Sequence, residues 1–218
     1  MDITASASWL NYTFSFFDQG ITLAVHKLYE IGGLVFTPFM ELISLLGKGG
    51  IFLIFLSLTL LFFKKTRRFG TSMAFGLLIG ALFVNLFLKV VIARPRPYAD
   101  EASIYYQLWL MMGQHVESDF SFPSGHTNAA FAAMVPLFLL GDKKKSWLAL
   151  VFGVLMGISR IYLVVHYPSD VLGGLITGTL AGMIGTLIAI NLPKKWYTWD
   201  LIPGKKKGDE EKCLDSAS

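Results

Sequence analysis

A chain of 218 residues that is 54% hydrophobic and 16% charged, with a mean hydropathy of +0.56, is too apolar for an ordinary soluble domain of that size. Its net charge of +4 is modest, and its single cysteine, Cys213, excludes an intrachain disulfide and gives no thiolate metal site. One membrane-embedded domain is the class that remains.

Residues 14–46 are apolar but interrupted by Asp18, His26, Lys27, Glu30, Pro38, Glu41 and the pair Gly32-Gly33. They read either as an interfacial helix followed by a short inserted one, or as a tilted first span, with a break at Pro38 and the glycine pair in both cases. The first basic residue is Lys27, so no basic stretch precedes an apolar core and insertion is expected to rely on internal spans. Clear spans follow at about 49–63, 69–92, 127–141, 146–164 and 171–192. The expected fold is therefore all-α: a polytopic membrane helical bundle of five clear spans plus one N-terminal inserted or interfacial helix, about six helices. Gly174, Gly178 and Gly182 recur at every fourth residue of the last span, and Gly76 and Gly80 do so in the second, which predicts close helix packing there. The domain is expected over 1–192, with 193–218 a polar cytoplasmic tail that reads as disordered.

Most of the 19 Lys and Arg residues fall in four clusters, at 64–68, 143–145, 194–195 and 205–212. These clusters lie at alternate ends of the spans, so all can be cytoplasmic at once. The ends near Arg96, His126 and His166 then face outward, and the loop from Tyr98 to Phe122 contains no Lys or Arg. Lys89, Arg94, Arg96 and Arg160 collect on that same outer side, an arrangement a shared anionic ligand explains. Between them lies Phe122-Pro-Ser-Gly-His-Thr127, a polar turn running into an apolar helix. Ser124 and Thr127 can cap that helix, Gly125 admits a ligand to the backbone, and the helix start favours an anion facing His126.

Three ordered motifs sharpen this reading: Lys89-x6-Arg96-Pro97, then Pro123-Ser124-Gly125-His126, then Ser159-Arg160-x5-His166-x3-Asp170. Their order and spacing resemble the type 2 phosphatidic acid phosphatase and vanadium haloperoxidase superfamily, by motif over about Lys89 to Gly174. The resemblance implies His166 as nucleophile, forming a phosphohistidine, with Asp170 accepting the other ring N–H. His126 is then the expected proton donor and later base, and Lys89, Arg96, Ser124, Gly125 and Arg160 hold the phosphoryl oxygens. Only Arg96 keeps the spacing from Lys89, which leaves Arg94 as a possible auxiliary. Asp100, Glu101, His115, Glu117 and Asp119 read as a solvated outer loop, and Trp109 to Met112 as a lip dipping into the membrane. No metal or other cofactor is expected. The implied activity is hydrolysis of a lipid phosphate or diphosphate at the outer face of the cell membrane. Undecaprenyl diphosphate is the favoured substrate for a bacterial source, ahead of phosphatidic acid and phosphatidylglycerophosphate. Transfer of the phosphoryl group to another lipid and non-catalytic lipid binding or transport are the alternatives. The expected partners are the bilayer and a phosphorylated lipid, with no nucleic acid and no obligate protein partner.

Overall fold

The computed structural model describes residues 3–198. Among these residues every regular element is helical and no strand occurs. A short α1 (Ala5–Thr13), capped by the Thr4 side chain, leads into α2 (Ser15–Gly47). α2 runs through Pro38 but leaves helical geometry at Gly32 (φ −164°, ψ 48°), so the expected break falls on the glycine pair alone and residues 14–46 form two helical pieces joined at that kink. Gly49 and Gly50 both take positive φ, 60° and 68°, where a side chain would be strained, and turn the chain tightly into α3 (Ile51–Phe62).

The next span is composite: α4 (Arg67–Ala81), a π-helical stretch (Leu82–Leu88), then α5 (Lys89–Ile92). The loop after α5 carries α6 (Ile104–Met111), and α7 (Gly125–Leu140), α8 (Lys143–Tyr162) and α9 (Pro168–Asn191) complete the bundle. Four stretches among the described residues are long and apolar enough to cross a membrane: Ser15–Phe62, Arg67–Ala99, Lys143–Tyr162 and Pro168–Asn191. α7 is equally apolar but has 16 residues, roughly 24 Å at 1.5 Å per residue, short of a hydrocarbon core of about 30 Å. Large apolar side chains such as Phe52, Phe55, Leu86, Phe87, Leu180 and Leu187 point outward from these helices, as they must where lipid is the solvent. The chain is an integral membrane protein.

α9 packs on both α4 and α7, and the glycine face predicted from the sequence makes that contact. A Cβ on Gly178 would strike the Asn128 carbonyl oxygen of α7, and one on Gly76 would come within 2.6 Å of the Ala132 carbonyl oxygen. Backbones this close replace the absent hydrophobic drive with dispersion contacts. A few buried hydroxyls add cross-links, among them Thr37 with Tyr162 at 2.7 Å and Ser57 donating to the Gly70 carbonyl at 2.8 Å.

At one end of the bundle a core cluster of Met40, Leu108, Trp109, Met112 and Tyr162 to Val165 seats the loop that carries α6. Trp109 and Met112 are buried there, with Trp109 stacked on Tyr98 at 4.7 Å, so the expected membrane lip is corrected: α6 turns one face into protein, and of the four lip residues only Leu110 and Met111 are exposed. At the opposite end the sequence expected to be tail begins with a short helix, α10 (Lys194–Thr198). It docks on α4, with the Trp196 indole donating to Thr71 at 3.0 Å and Arg67 donating to the Trp196 carbonyl at 3.1 Å. The rest of the expected tail lies outside the described residues.

Candidate active site

The three motifs converge at the end of the bundle away from Arg67 and α10. α5 ends in a left-handed residue, Ala93 (φ 49°), that swings Arg94 and Arg96 inward, and Val164 (φ 54°) does the same for His166 after α8. Non-glycine residues are uncommon in that region and tend to stand beside functional groups. Ser124 is the N-cap of α7, as expected, and Pro168 occupies the first turn of α9. Asp170 therefore sits in that first turn, where its carboxylate takes the Tyr167 N–H at 2.9 Å.

His166 is 2% exposed, between a donor and an acceptor. Arg96 Nη1 lies 3.0 Å from Nε2 and also donates to the Val165 carbonyl at 2.7 Å; since a guanidinium only donates, Nε2 presents its lone pair. Nδ1, 3.5 Å from Asp170 Oδ2, then carries the proton. Burial first, and then the charges of Arg96, Arg160 and Lys89, hold the His166 pKa well below the usual 6.5, so the ring is neutral.

A cavity of about 370 Å³ opens beside this ring, with Lys89, Arg96, Gly125, His126 and His166 in its wall. Leu77, Ala81, Asn85 and Lys89, each four residues from the next along the α4 to α5 span, form a stripe down one side. The wall thus passes from cationic to apolar over 12 residues, roughly 18 Å of helix. Arg160 lines a second cavity of about 520 Å³ on the far side of His126, which borders both. Gly47 makes room for that ring: a Cβ there would come within 2.8 Å of His126 Cδ2.

The acidic residues of the loop between α5 and α7 do not behave alike. Asp100, Glu101 and Asp119 are exposed, as expected, but Asp119 is also paired, and Glu117 is half-buried and paired. Asp119 bridges Lys89 and Arg96 with its two carboxylate oxygens, and Glu117 pairs with Arg160, which also donates to Ser44. A carboxylate satisfies these cations in the way a phosphate oxygen would. Although burial works to raise the Asp119 pKa, its hydrogen bond and charge contact with Lys89, together with Arg96, win and hold it below the usual carboxylate value. His115 pairs with Glu41 at 3.2 Å on the surface.

One expected ligand and the possible auxiliary stand elsewhere. The Ser124 side chain is fully buried and accepts the Thr127 N–H and O–H instead of lining the cavity. Arg94 lies behind Asp170 rather than in the clamp, donating to Asp170 at 2.6 Å and to Asp18 at 2.9 Å. Sequence reading passed over Asp18, Ser44, Ser121 and Ser169 as site residues. Of these only Asp18 left a signal, a carboxylate inside an apolar span.

Fold and site together define a membrane-embedded protein that gathers Lys and Arg around a buried, neutral histidine at one end of its bundle. The PAP2 superfamily model matches residues 68–194, more than half of the sequence, and the chain belongs to that superfamily. It is 33% identical over 106 residues to undecaprenyl-diphosphatase BcrC of Bacillus subtilis, covering 49% of this chain and 51% of that protein. It is 30% identical over 136 residues to an undecaprenyl-diphosphatase of Sulfolobus acidocaldarius, covering 62% and 63%. The match thus spans half to two thirds of the length of these curated relatives. Among solved structures, a transmembrane PAP2-type phosphatidylglycerolphosphate phosphatase from Bacillus subtilis superposes with a TM-score of 0.57 and 26% identity, over 88% of this chain and 99% of that one.

Proposed function

We propose that this protein is a lipid-phosphate phosphatase of the outer membrane face that works through a phosphohistidine on His166. The observation that carries the reading is the pairing of His166, with Arg96 on Nε2 and Asp170 on the Nδ1 side, at the edge of a cation-lined cavity. In the first step Nε2 attacks phosphorus and the bond to the leaving oxygen breaks, with His126 supplying that oxygen's proton. In the second, water deprotonated by His126 attacks the phosphohistidine, releasing phosphate and regenerating the imidazole. Lys89, Arg96 and Arg160, with the Gly125 N–H, carry the charge on the equatorial oxygens, so the scheme asks for no metal.

The substrate we favour is undecaprenyl diphosphate. Two relatives bear that activity in their names, and the cavity's passage from cationic to apolar suits a charged headgroup on a prenyl chain. The phosphatidylglycerolphosphate phosphatase match, which extends over nearly the whole of that structure, supports a phospholipid monophosphate as the second reading. We place five spans in the bilayer, counting α7 as a short one, with the basic loops and tail on the cytoplasmic side and the membrane-embedded part ending near 192, just before the docked α10.

Phosphate release by the purified protein from both lipids tests the substrate. The expected result is faster turnover of the diphosphate, activity that persists in chelator, and inhibition by vanadate, which adopts the five-coordinate shape of the transition state. Loss of all turnover in chelator, restored by magnesium, sinks the metal-free scheme.

A further inference from the structure

Behind Asp170 lies a buried charge cluster that the phosphate clamp does not use. Asp18 of α2, Arg94 and Asp170 are each no more than 1% exposed. Arg94 Nη1 donates to Asp170 Oδ1 at 2.6 Å and to Ser169 Oγ at 2.8 Å, Nη2 to Asp18 Oδ2 at 2.9 Å, and Nε to Asn11 at 2.8 Å. The guanidinium lies 3.9 Å over the Tyr167 ring. Asp18 in turn accepts the Ser169 N–H and its hydroxyl, each at 2.7 Å. Ser121 donates to the Asp170 oxygen that faces His166.

The charges in this cluster do not cancel. An Arg94–Asp170 pair alone would be neutral and would offer little to a histidine that turns cationic as it is phosphorylated. With Asp18 holding the same guanidinium, two carboxylates share one positive charge, and one negative charge is left over beside His166. Charge in a low-dielectric interior acts strongly over such distances. We propose that Asp18, through Arg94, keeps Asp170 effectively anionic, making Asp18 and Arg94 positioning residues for the histidine on which the preceding reading rests. Asp18, like Asn11 and Ser44, lies outside residues 68–194, so this chain's own N-terminal helices would complete a site whose histidines and clamp residues fall within the superfamily match.

Two single variants and their combination test the idea on full-length protein, with phosphate release from whichever lipid the wild type turns over. Asp18→Asn leaves the pair neutral and is expected to lower kcat about 10- to 100-fold, the usual effect of an outer partner on an active-site ligand. KM should stay within about threefold, since the clamp is untouched. Arg94→Gln leaves two carboxylates unpaired and is expected to lower kcat as well. Asp18→Asn combined with Arg94→Gln restores a single negative charge on Asp170, so the double variant should exceed both singles in kcat. A merely structural cluster predicts the reverse, with the double variant no better than the worse single. That result, or an Asp18→Asn variant with unchanged kcat, overturns the proposal. Where a single variant does not fold, Asp18→Glu decides: kcat should stay within about tenfold of wild type, and a larger loss in folded protein overturns the idea. Quenched wild-type turnover separates the two readings. Absence of phosphoryl label on His166 removes the nucleophile and this role with it, whereas label on His166 with Asp18→Asn at wild-type kcat refutes only the charge role.

Discussion

A histidine that is to attack phosphorus must be neutral and unprotonated on the attacking nitrogen, and the partners of His166 meet both demands, with Arg96 Nη1 holding the Nε2 lone pair until a phosphoryl group takes its place. Burial, then Arg96, Arg160, Lys89 and His126, push its pKa well below 6.5, against the single carboxylate of Asp170 on its Nδ1 side. The folded pKa lies below the unfolded one, so the unfolded chain takes up this proton first as pH falls, and the contribution to stability is lost below about 6.5. The acid limb of kcat/KM is accordingly expected below pH 6.5, measured on a substrate whose own ionisation is known. A limb at or above that value contradicts the neutral, buried nucleophile. Asp170→Asn should keep the fold and lower kcat by about 10²–10⁴, the scale of acid–base and tautomer control. Asp119 raises a different question, because it already occupies Lys89 and Arg96. A phosphoryl group must displace it, so Asp119→Ala is expected to bind vanadate more tightly than wild type; weaker binding in a titration of inhibition would show that the carboxylate helps to build the clamp.

The helices hold these residues in place through backbone contact. A Cβ on Gly178 would strike the Asn128 carbonyl oxygen and one on Gly185 would come within 2.5 Å of both Gly76 N and the Ser72 carbonyl oxygen, so α9 cannot accept side chains on this face without moving α7 or α4. Gly178→Leu is expected to destabilise the protein by at least the 1–3 kcal/mol typical of overpacking. Gly20→Ala, which meets nothing within 4 Å on α2, should be neutral or gain up to about 1 kcal/mol. Thermal unfolding in detergent compares them, and equal melting temperatures would mean that the glycine face does not set the packing. This face was legible in the sequence because its spacing is local, as were the motif residues and the helix starts at Ser124 and Pro168. The pairings of Asp119, Glu117 and Asp18 were not. Ser169 and Asp18 are separated by 151 residues and Arg160 and Ser44 by 116, so their contact depends on how whole helices rotate against each other, which no local pattern records. Trp109 and Met112 misled for a related reason: an exposed apolar lip and a core-facing helix share the same residue types.

At the scale of the whole molecule, the basic clusters at 64–68 and 143–145 and the start of α10 sit at one end of the bundle, and the three motifs sit at the other. Positive charge near the ends of spans stays cytoplasmic, which would put the cavity mouth outside. In a Cys213→Ser background, a cysteine introduced at Ser118 should react with an impermeant reagent on intact cells and one at Ser146 should not. Labelling at 146 but not at 118 would reverse the orientation. The proposed mechanism turns on one bond, between phosphorus and His166 Nε2. Rapid quenching of turnover with labelled lipid phosphate, followed by phosphoamino-acid analysis, reads it directly. An acid-labile, alkali-stable label on His166 is predicted, absent in His166→Ala and still formed in His126→Ala with a substrate carrying a good leaving group. Label retained at normal levels in His166→Ala would contradict the account and point first to His126.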